Sequence, residues 1–98
     1  MRNVNERIAR ALGIDTTVWT PDCEHDPAAC VSVWPTLADV LREGFVSKVI
    51  IRPCHFKTGK WYMKIDWCGM VRCEKYFDSF CAAWCRAACE ILGIVVES

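Results

Sequence analysis

The sequence predicts an α+β fold in which a three-stranded antiparallel meander packs with a long C-terminal helix and two short N-terminal helices. Three observations support this order, α-α-β-β-β-α. Residues 46–76 hold β-rich segments separated by turn residues, residues 77–92 repeat apolar side chains with the helical period, and residues 4–12 and 36–43 are shorter helical stretches. With 98 residues, of which 53% are hydrophobic, residues 1–98 are expected to form a single domain with one core.

The two N-terminal helices each have one apolar stripe and are each followed by a glycine. The first spans residues 4–12, and the second is entered at Pro35 or Thr36 and spans residues 36–43. Residues 15–34 between them are rich in proline and aspartate, which favour turns. An irregular loop that contains cysteines is therefore predicted there.

The middle of the chain predicts three strands, at residues 46–56, 61–67 and 71–76. "KTGK" between the first two is typical of a hairpin turn, and "WYMKIDW" alternates strictly between apolar and polar side chains. Pro53 has no backbone N–H to donate, which places the first strand at an edge of the sheet. Gly69 marks the second turn.

Pairing across "KTGK" predicts one apolar face of the sheet, which the last helix covers. Its members in the first two strands are Ile50, Cys54, Phe56, Trp61, Met63, Ile65 and Trp67. A three-residue second loop adds Val71 and Cys73 to this face, whereas a two-residue loop places Met70 and Arg72 there; the first is preferred because it keeps the face apolar. The opposite face is mixed and comprises Val49, Ile51, His55, Tyr62, Lys64, Asp66, Arg72, Glu74 and Tyr76.

The stretch "FCAAWCRAACEIL" places Cys81, Cys85 and Cys89 on one flank of an amphipathic helix over residues 77–92. Cysteines four residues apart on a helix run parallel, so an intrahelical disulfide is not expected. They could share a metal ion if other segments supplied further ligands. Burial as small hydrophobic side chains is the favoured interpretation.

Charge and cysteine content indicate a cytoplasmic protein. Twelve basic and twelve acidic residues balance, so there is no general attraction to nucleic acid or to an anionic membrane. The N-terminal segment "MRNVNERIARALG" lacks the apolar run of a signal peptide, and no stretch reaches transmembrane length. The eight cysteines are therefore expected to stay reduced.

The segments "NERIARALG", "WPTLADVLREG", "GKWYMKID" and "FCAAWCRAACEILG" resemble the small phage and prophage proteins of the phage ABA-sandwich domain family. Members typically end in a segment like "AICRAALKAVG", to which "AWCRAACEILG" aligns without a gap. The loop "PDCEHDPAAC" departs from the family pattern. The resemblance implies a phage-encoded protein of the host-cell cytoplasm with helices around an antiparallel sheet, and it transfers no functional residues.

Two candidate sites follow from the residues. The mixed sheet face offers tyrosine rings beside cations, a combination that nucleotides and single-stranded nucleic acid use, and its ligand-binding set is His55, Tyr62, Lys64, Arg72 and Tyr76. The alternative is a zinc site with the ligands Cys23, His25, Cys30 and Cys54. Cys54 and His55 are neighbours in a predicted strand and so point to opposite faces, which argues against a nucleophile–base pair.

The sequence thus predicts a non-enzymatic phage accessory protein that binds a host protein or a small anionic, nucleotide-like ligand, with a role in countering host defence among the expectations. A zinc-stabilised nucleic-acid-binding module is the alternative, although the absence of net charge disfavours nucleic acid. Val49 and Ile51 on the mixed face predict that a second copy or the first helices cover one end of it. A homo-oligomer is therefore expected.

Overall fold

The computed structural model describes residues 3–43, 46–56 and 58–95, and for residues 43, 46, 47 and 72 it describes the backbone alone. Three helices and three strands follow one another in the order α1 Val4–Ala11, α2 Pro27–Glu43, β1 Val46–Pro53, β2 Trp61–Trp67, β3 Met70–Phe77 and α3 Phe80–Leu92. The strands form an antiparallel sheet with β2 in the middle. The predicted α+β class and the order of elements are confirmed.

The three helices lie on one side of the sheet, in two layers. Helix α3 packs against all three strands and carries α1 and α2 on its other side. Within the described residues, α1 contacts no strand and α2 reaches the sheet along β1 alone. None of the described helices combines the length and the apolar character needed to cross a membrane. Helix α3 is therefore the middle layer of the domain.

The composition of α3 suits this position. Eight of its thirteen residues are buried, and most of these are alanine or cysteine, whose small side chains let a helix approach neighbours on several sides. The Ser79 side chain accepts a hydrogen bond from the Ala82 backbone N–H at 3.0 Å and caps the first turn. Gly93, with φ of 72°, ends the helix in the left-handed conformation. The helix begins three residues later than predicted, because Phe77 belongs to β3.

Helix α2 begins at Pro27, well before the predicted entry at Pro35 or Thr36, so residues 27–34 are helical and not part of an irregular loop. Proline is favoured at the first helical position, and the Asp26 side chain accepts a hydrogen bond from the Ala28 backbone N–H at 3.0 Å. Pro35 lies inside the helix and removes one backbone hydrogen bond. The buried stripe that runs through it consists of Cys30, Val33 and Leu37. Burial of this stripe offsets the unfavourable proline.

The register of the first hairpin differs from the prediction. Val49 pairs with Ile65 and Ile51 pairs with Met63, so Val49 and Ile51 face α3. Strand β1 ends at Pro53, opposite Trp61, and the connection is therefore longer than the predicted "KTGK" turn. A shift of one residue exchanges the two faces of a strand. The assignment of Ile50, Cys54 and Phe56 to the apolar face was wrong for this reason.

The second hairpin combines features of both predicted registers. Its loop has two residues, Cys68 and Gly69, with φ values of 52° and 82°, and Met70 pairs with Trp67 beyond it. A bulge then shifts the register, so that Cys73 pairs with Ile65 and faces α3 as predicted. Val71 is 55% exposed and does not join the apolar face.

The core lies on both sides of α3. On the sheet side, Met63 and Ile65 of β2 are fully buried. On the other side, Ile8 of α1 and Leu37 of α2 are buried with Trp84 of α3 in the same cluster. All three described helices therefore lie on one face of the sheet, and no helix in the described part of the chain covers the other face.

Candidate functional site

The sheet face directed away from α3, called the outer face below, consists of three rows of paired residues. Directly paired residues of an antiparallel sheet share a face. The rows are Arg52–Tyr62–Tyr76, Ile50–Lys64–Glu74 and Lys48–Asp66–Val71. No described helix packs across these rows. The outer face therefore presents aromatic and charged side chains side by side.

The first of these rows, Arg52, Tyr62 and Tyr76, is called the aromatic row. The Arg52 guanidinium carbon lies 5.1 Å from the centre of the Tyr62 ring, within the range of a cation–π contact. The Tyr62 and Tyr76 ring centres are 5.6 Å apart with an interplanar angle of 53°. Tyr76 at the end of the row is 47% exposed. A planar group can therefore pack on Tyr76 while the rest of the row supports it.

Glu74 fixes the central ring of the row. The Tyr62 hydroxyl donates a hydrogen bond to Glu74 Oε2 at 2.7 Å. Because the carboxylate stabilises the protonated phenol, it raises the pKa of Tyr62 to about 12. The ring of Tyr62 is thus held by Glu74 at its hydroxyl and by Arg52 on its face.

A depression of about 190 Å³ adjoins the aromatic row. The row lines it together with Cys54, His55, Phe56 and Glu74. Since β1 ends at Pro53, Cys54 and His55 are outside the strand, and both line this depression. The alternation of a strand, on which the expectation of opposite faces rested, therefore does not extend to Cys54 and His55. Phe56 is 94% exposed at its rim.

The described side chains of the outer face include three cations and two carboxylates. Lys64 Nζ lies 3.8 Å from Asp66 Oδ1, so part of this charge is paired on the face itself. Arg52 is exposed, and its described contact is with the Tyr62 ring. Arg52 is therefore the cation best placed to meet an anion beside the tyrosines.

Most of the predicted ligand-binding residues are brought together. Tyr62, Lys64 and Tyr76 lie on the outer face, and His55 lines the depression beside it. The fifth, Arg72, lies at the bulge of β3, and its side chain is outside the described part, as is the whole of Lys57. Sequence reasoning missed Arg52, because the predicted register placed even-numbered residues of the first strand on the apolar face. The signal that could have revealed Arg52 was Pro53, if it had been taken as the end of the first strand.

The prediction that a second copy or the first helices cover one end of the mixed face started from a wrong assignment. Val49 and Ile51 pack against the core on the inner face, so they are not apolar residues of the mixed face that call for a cover. Helices α1 and α2 pack on α3, which lies on the inner face, so neither helix covers the outer face. The homo-oligomer stays a prediction that has lost this support.

The predicted zinc set is not assembled. His25 is exposed, and its Nδ1 lies 3.1 Å from Asp22 Oδ1. Cys54 lines the depression on the outer face, whereas Cys23 and Cys30 are buried against α3. Among the residues that the structure describes, no three His, Cys, Asp or Glu side chains are placed as they would be around a bound metal ion.

A larger cavity of about 590 Å³ lies at the C-terminal end of α3, where Trp67 and Ile94 form apolar walls. Its charged residues are Arg86 and Glu90, whose Nε and Oε1 atoms are 3.1 Å apart. Because these two charges neutralise each other, the cavity offers less to an anion than the outer face does. Size alone does not make it the stronger candidate.

Comparison with known proteins gives no match: no family model, curated protein or solved structure matches this chain. The resemblance to small phage proteins therefore stays a prediction. The chemistry of the outer face has to be inferred from its own residues.

Proposed function

We propose that the chain is a non-enzymatic binding protein whose outer face takes a small, nucleotide-like anion. The observation that carries this proposal is the aromatic row beside a depression, on a sheet face that no described helix covers. Stacking rings next to cations are what a base joined to a phosphate requires.

The two halves of such a ligand would meet different residues. A base stacks on Tyr76, a contact worth about 1–3 kcal/mol for a base on an aromatic side chain. The phosphate meets Arg52, whose planar group of N–H donors matches phosphate oxygens. At about 190 Å³ the depression is smaller than the roughly 300–1,000 Å³ of pockets that enclose a drug-sized ligand. It would therefore hold one ring and leave the phosphate at the surface.

The charge of the chain favours a single nucleotide over a polynucleotide. Binding to a nucleic-acid strand gains most of its affinity from many cations that displace counterions. Here the formal net charge is zero, and the three described cations of the outer face stand among two carboxylates. Most of the recognition that this face can provide is of one stacked base and one phosphate.

Together with the resemblance to small phage proteins, this chemistry supports an accessory protein that sequesters a nucleotide signal in the host cytoplasm. Sequestration needs affinity and no catalytic group. Its affinity would come from stacking and from one charge-assisted contact, so it depends strongly on the two residues that make them.

The test is isothermal titration calorimetry with adenosine 5′-monophosphate, and with adenosine and ribose 5-phosphate as the two fragments. The nucleotide should bind more tightly than either fragment. Arg52→Gln should weaken nucleotide binding by about tenfold or more, the value of a hydrogen bond to a charged group. Tyr76→Ala should weaken it to a similar extent through the loss of stacking.

Lys75→Gln is the matched control for Arg52→Gln, because Lys75 is exposed but pairs with Met63 and so faces the other side of the sheet. It should bind the nucleotide as the parent does. If Arg52→Gln and Tyr76→Ala also bind like the parent while remaining folded, the outer face is not the site.

A further inference from the structure

Glu74 is a carboxylate inside the site proposed for an anion, and neither stacking nor phosphate binding gives it a role toward the ligand. It is exposed and lines the depression beside the aromatic row. A negative charge close to a bound phosphate weakens the binding of that phosphate. Glu74 therefore serves either the structure of the face or another part of the ligand.

The simpler interpretation is that Glu74 only holds the Tyr62 ring. Its Oε2 accepts a hydrogen bond from the Tyr62 hydroxyl at 2.7 Å. That contact uses one lone-pair site, whereas an ionised carboxylate has about four of them on its two oxygens. Oε1 takes no part in the contact, so Glu74 can accept further N–H donors while it holds Tyr62.

The second described carboxylate of the outer face is placed differently. Asp66 Oδ1 lies 3.8 Å from Lys64 Nζ, although the residue that pairs with Lys64 on β3 is Glu74. Of these two carboxylates, Glu74 is the one that lines the depression. Glu74 is therefore the carboxylate that a ligand in the depression meets.

The strands place Glu74 beside a stacked base and away from the phosphate. Glu74 and Tyr76 are two residues apart on β3 and share the outer face. Two residues of a strand rise about 7 Å, which lets a base on the Tyr76 ring reach Glu74 with the edge that points along β3. Arg52 lies on β1, with β2 between it and Glu74. The carboxylate and the guanidinium can thus meet opposite ends of one nucleotide.

The bases differ in what their edges offer to a carboxylate. Guanine has two adjacent donors on its six-membered ring, the N1–H and the 2-amino group, and two parallel N–H groups match the two oxygens of a carboxylate. Adenine and cytosine place a ring-nitrogen acceptor beside their amino group, and uracil flanks its N–H with two carbonyl oxygens. Each of these acceptors repels a carboxylate. A depression of about 190 Å³ that holds one ring suits the six-membered ring of guanine.

We infer that the ligand of the outer face is a guanine nucleotide and that Glu74 is the residue that selects its base. This inference rests on the proposed function, from which it takes stacking on Tyr76 and the phosphate contact of Arg52. Glu74 accepts the N1–H and the 2-amino group in the plane of the base. A site that forms these two hydrogen bonds rejects a base that cannot make them, because the carboxylate is then left facing an acceptor.

The test is isothermal titration calorimetry of the full chain with guanosine, inosine and adenosine 5′-monophosphates. The guanine nucleotide should bind about tenfold or more tighter than the adenine nucleotide, as expected for a two-point contact to a base edge. The inosine nucleotide keeps the N1–H but lacks the 2-amino group, and it should fall between them. Equal binding of guanine and adenine nucleotides would overturn this inference and leave the proposed function in place. Binding of neither would overturn both.

Variants separate base selection from support of the ring. Glu74→Gln keeps one oxygen for the Tyr62 hydroxyl but replaces the other acceptor with a donor, and it should lose the preference for guanine. Tyr62→Phe removes the hydroxyl and leaves the carboxylate, so it should keep the preference whatever its overall affinity. Loss of the preference in both variants while they remain folded by circular dichroism would show that Glu74 only holds the ring.

Asp66→Asn is the matched control for charge, because it removes a carboxylate from the same face but outside the depression. It should change the affinities for the guanine and adenine nucleotides by the same factor. If Glu74→Gln also changes both by one factor, its effect is that of charge alone and the assignment of Glu74 to the base is overturned.

Discussion

Replacing Trp84 by alanine tests the position of α3 most directly. Trp84 is 4% exposed near the middle of the helix that forms the middle layer. A tryptophan buries about 150–250 Å², which at about 25 cal/mol per Å² corresponds to about 4–6 kcal/mol. Measured losses for such truncations are about 3–5 kcal/mol. Because a domain is stable by about 5–15 kcal/mol in total, Trp84→Ala should remove a large part of its stability.

The measurement is equilibrium unfolding in urea, followed by far-UV circular dichroism. Trp34→Ala is the matched control, because Trp34 is 40% exposed on α2 and loses the same atoms. Its effect should be less than half that of Trp84→Ala. Equal effects of the two substitutions, or a melting temperature of Trp84→Ala within a degree or two of the parent, would refute the facing of α3.

Three further predictions concern titration and the cysteines. Glu74→Gln, in a Tyr76→Phe background, should lower the pKa of Tyr62 from about 12 towards 10.0, measured as tyrosinate absorbance against pH; no change would mean that Glu74 does not hold the hydroxyl. Burial raises the pKa of Cys23 from 9.0 to about 11 and raises the pKa of Cys30 and Cys85 as well. The unfolded chain therefore loses these thiol protons first, and the free energy of unfolding in urea should fall as the pH rises from 9.0 towards about 11. Flat stability there would contradict burial of the thiols. A thiol reagent should react in the native state with exposed Cys68 and more slowly with half-buried Cys54, and with the six others after unfolding.

The type and order of the elements could be predicted because their signals are local. The strict alternation of "WYMKIDW" defined β2 to the residue, and it correctly placed Tyr62 and Lys64 on the mixed face. The spacing of small and apolar residues in the last helix likewise predicted the burial of Cys81, Cys85 and Cys89, which is confirmed.

The register of the first hairpin and the starting residue of α2 could not be predicted in the same way. Each depends on a choice between local signals that are nearly equal in strength. Pro27 and Pro35 are both suited to the first helical position, and the burial of Cys30 and Val33 between them decides for Pro27. In the first hairpin, the length of the loop after Pro53 decides which face each residue of β1 occupies, and so whether Arg52 meets Tyr62.

The central place of α3 also bears on how the chain folds during synthesis. The sheet and the two N-terminal helices precede α3 in the chain, yet they contact each other mainly through it. Until α3 has left the ribosome, the inner face of the sheet and the apolar stripes of α1 and α2 lack their common partner. Most of the core must then assemble in one late, cooperative step, with exposed β1 and β3 edges open to wrong pairing before it.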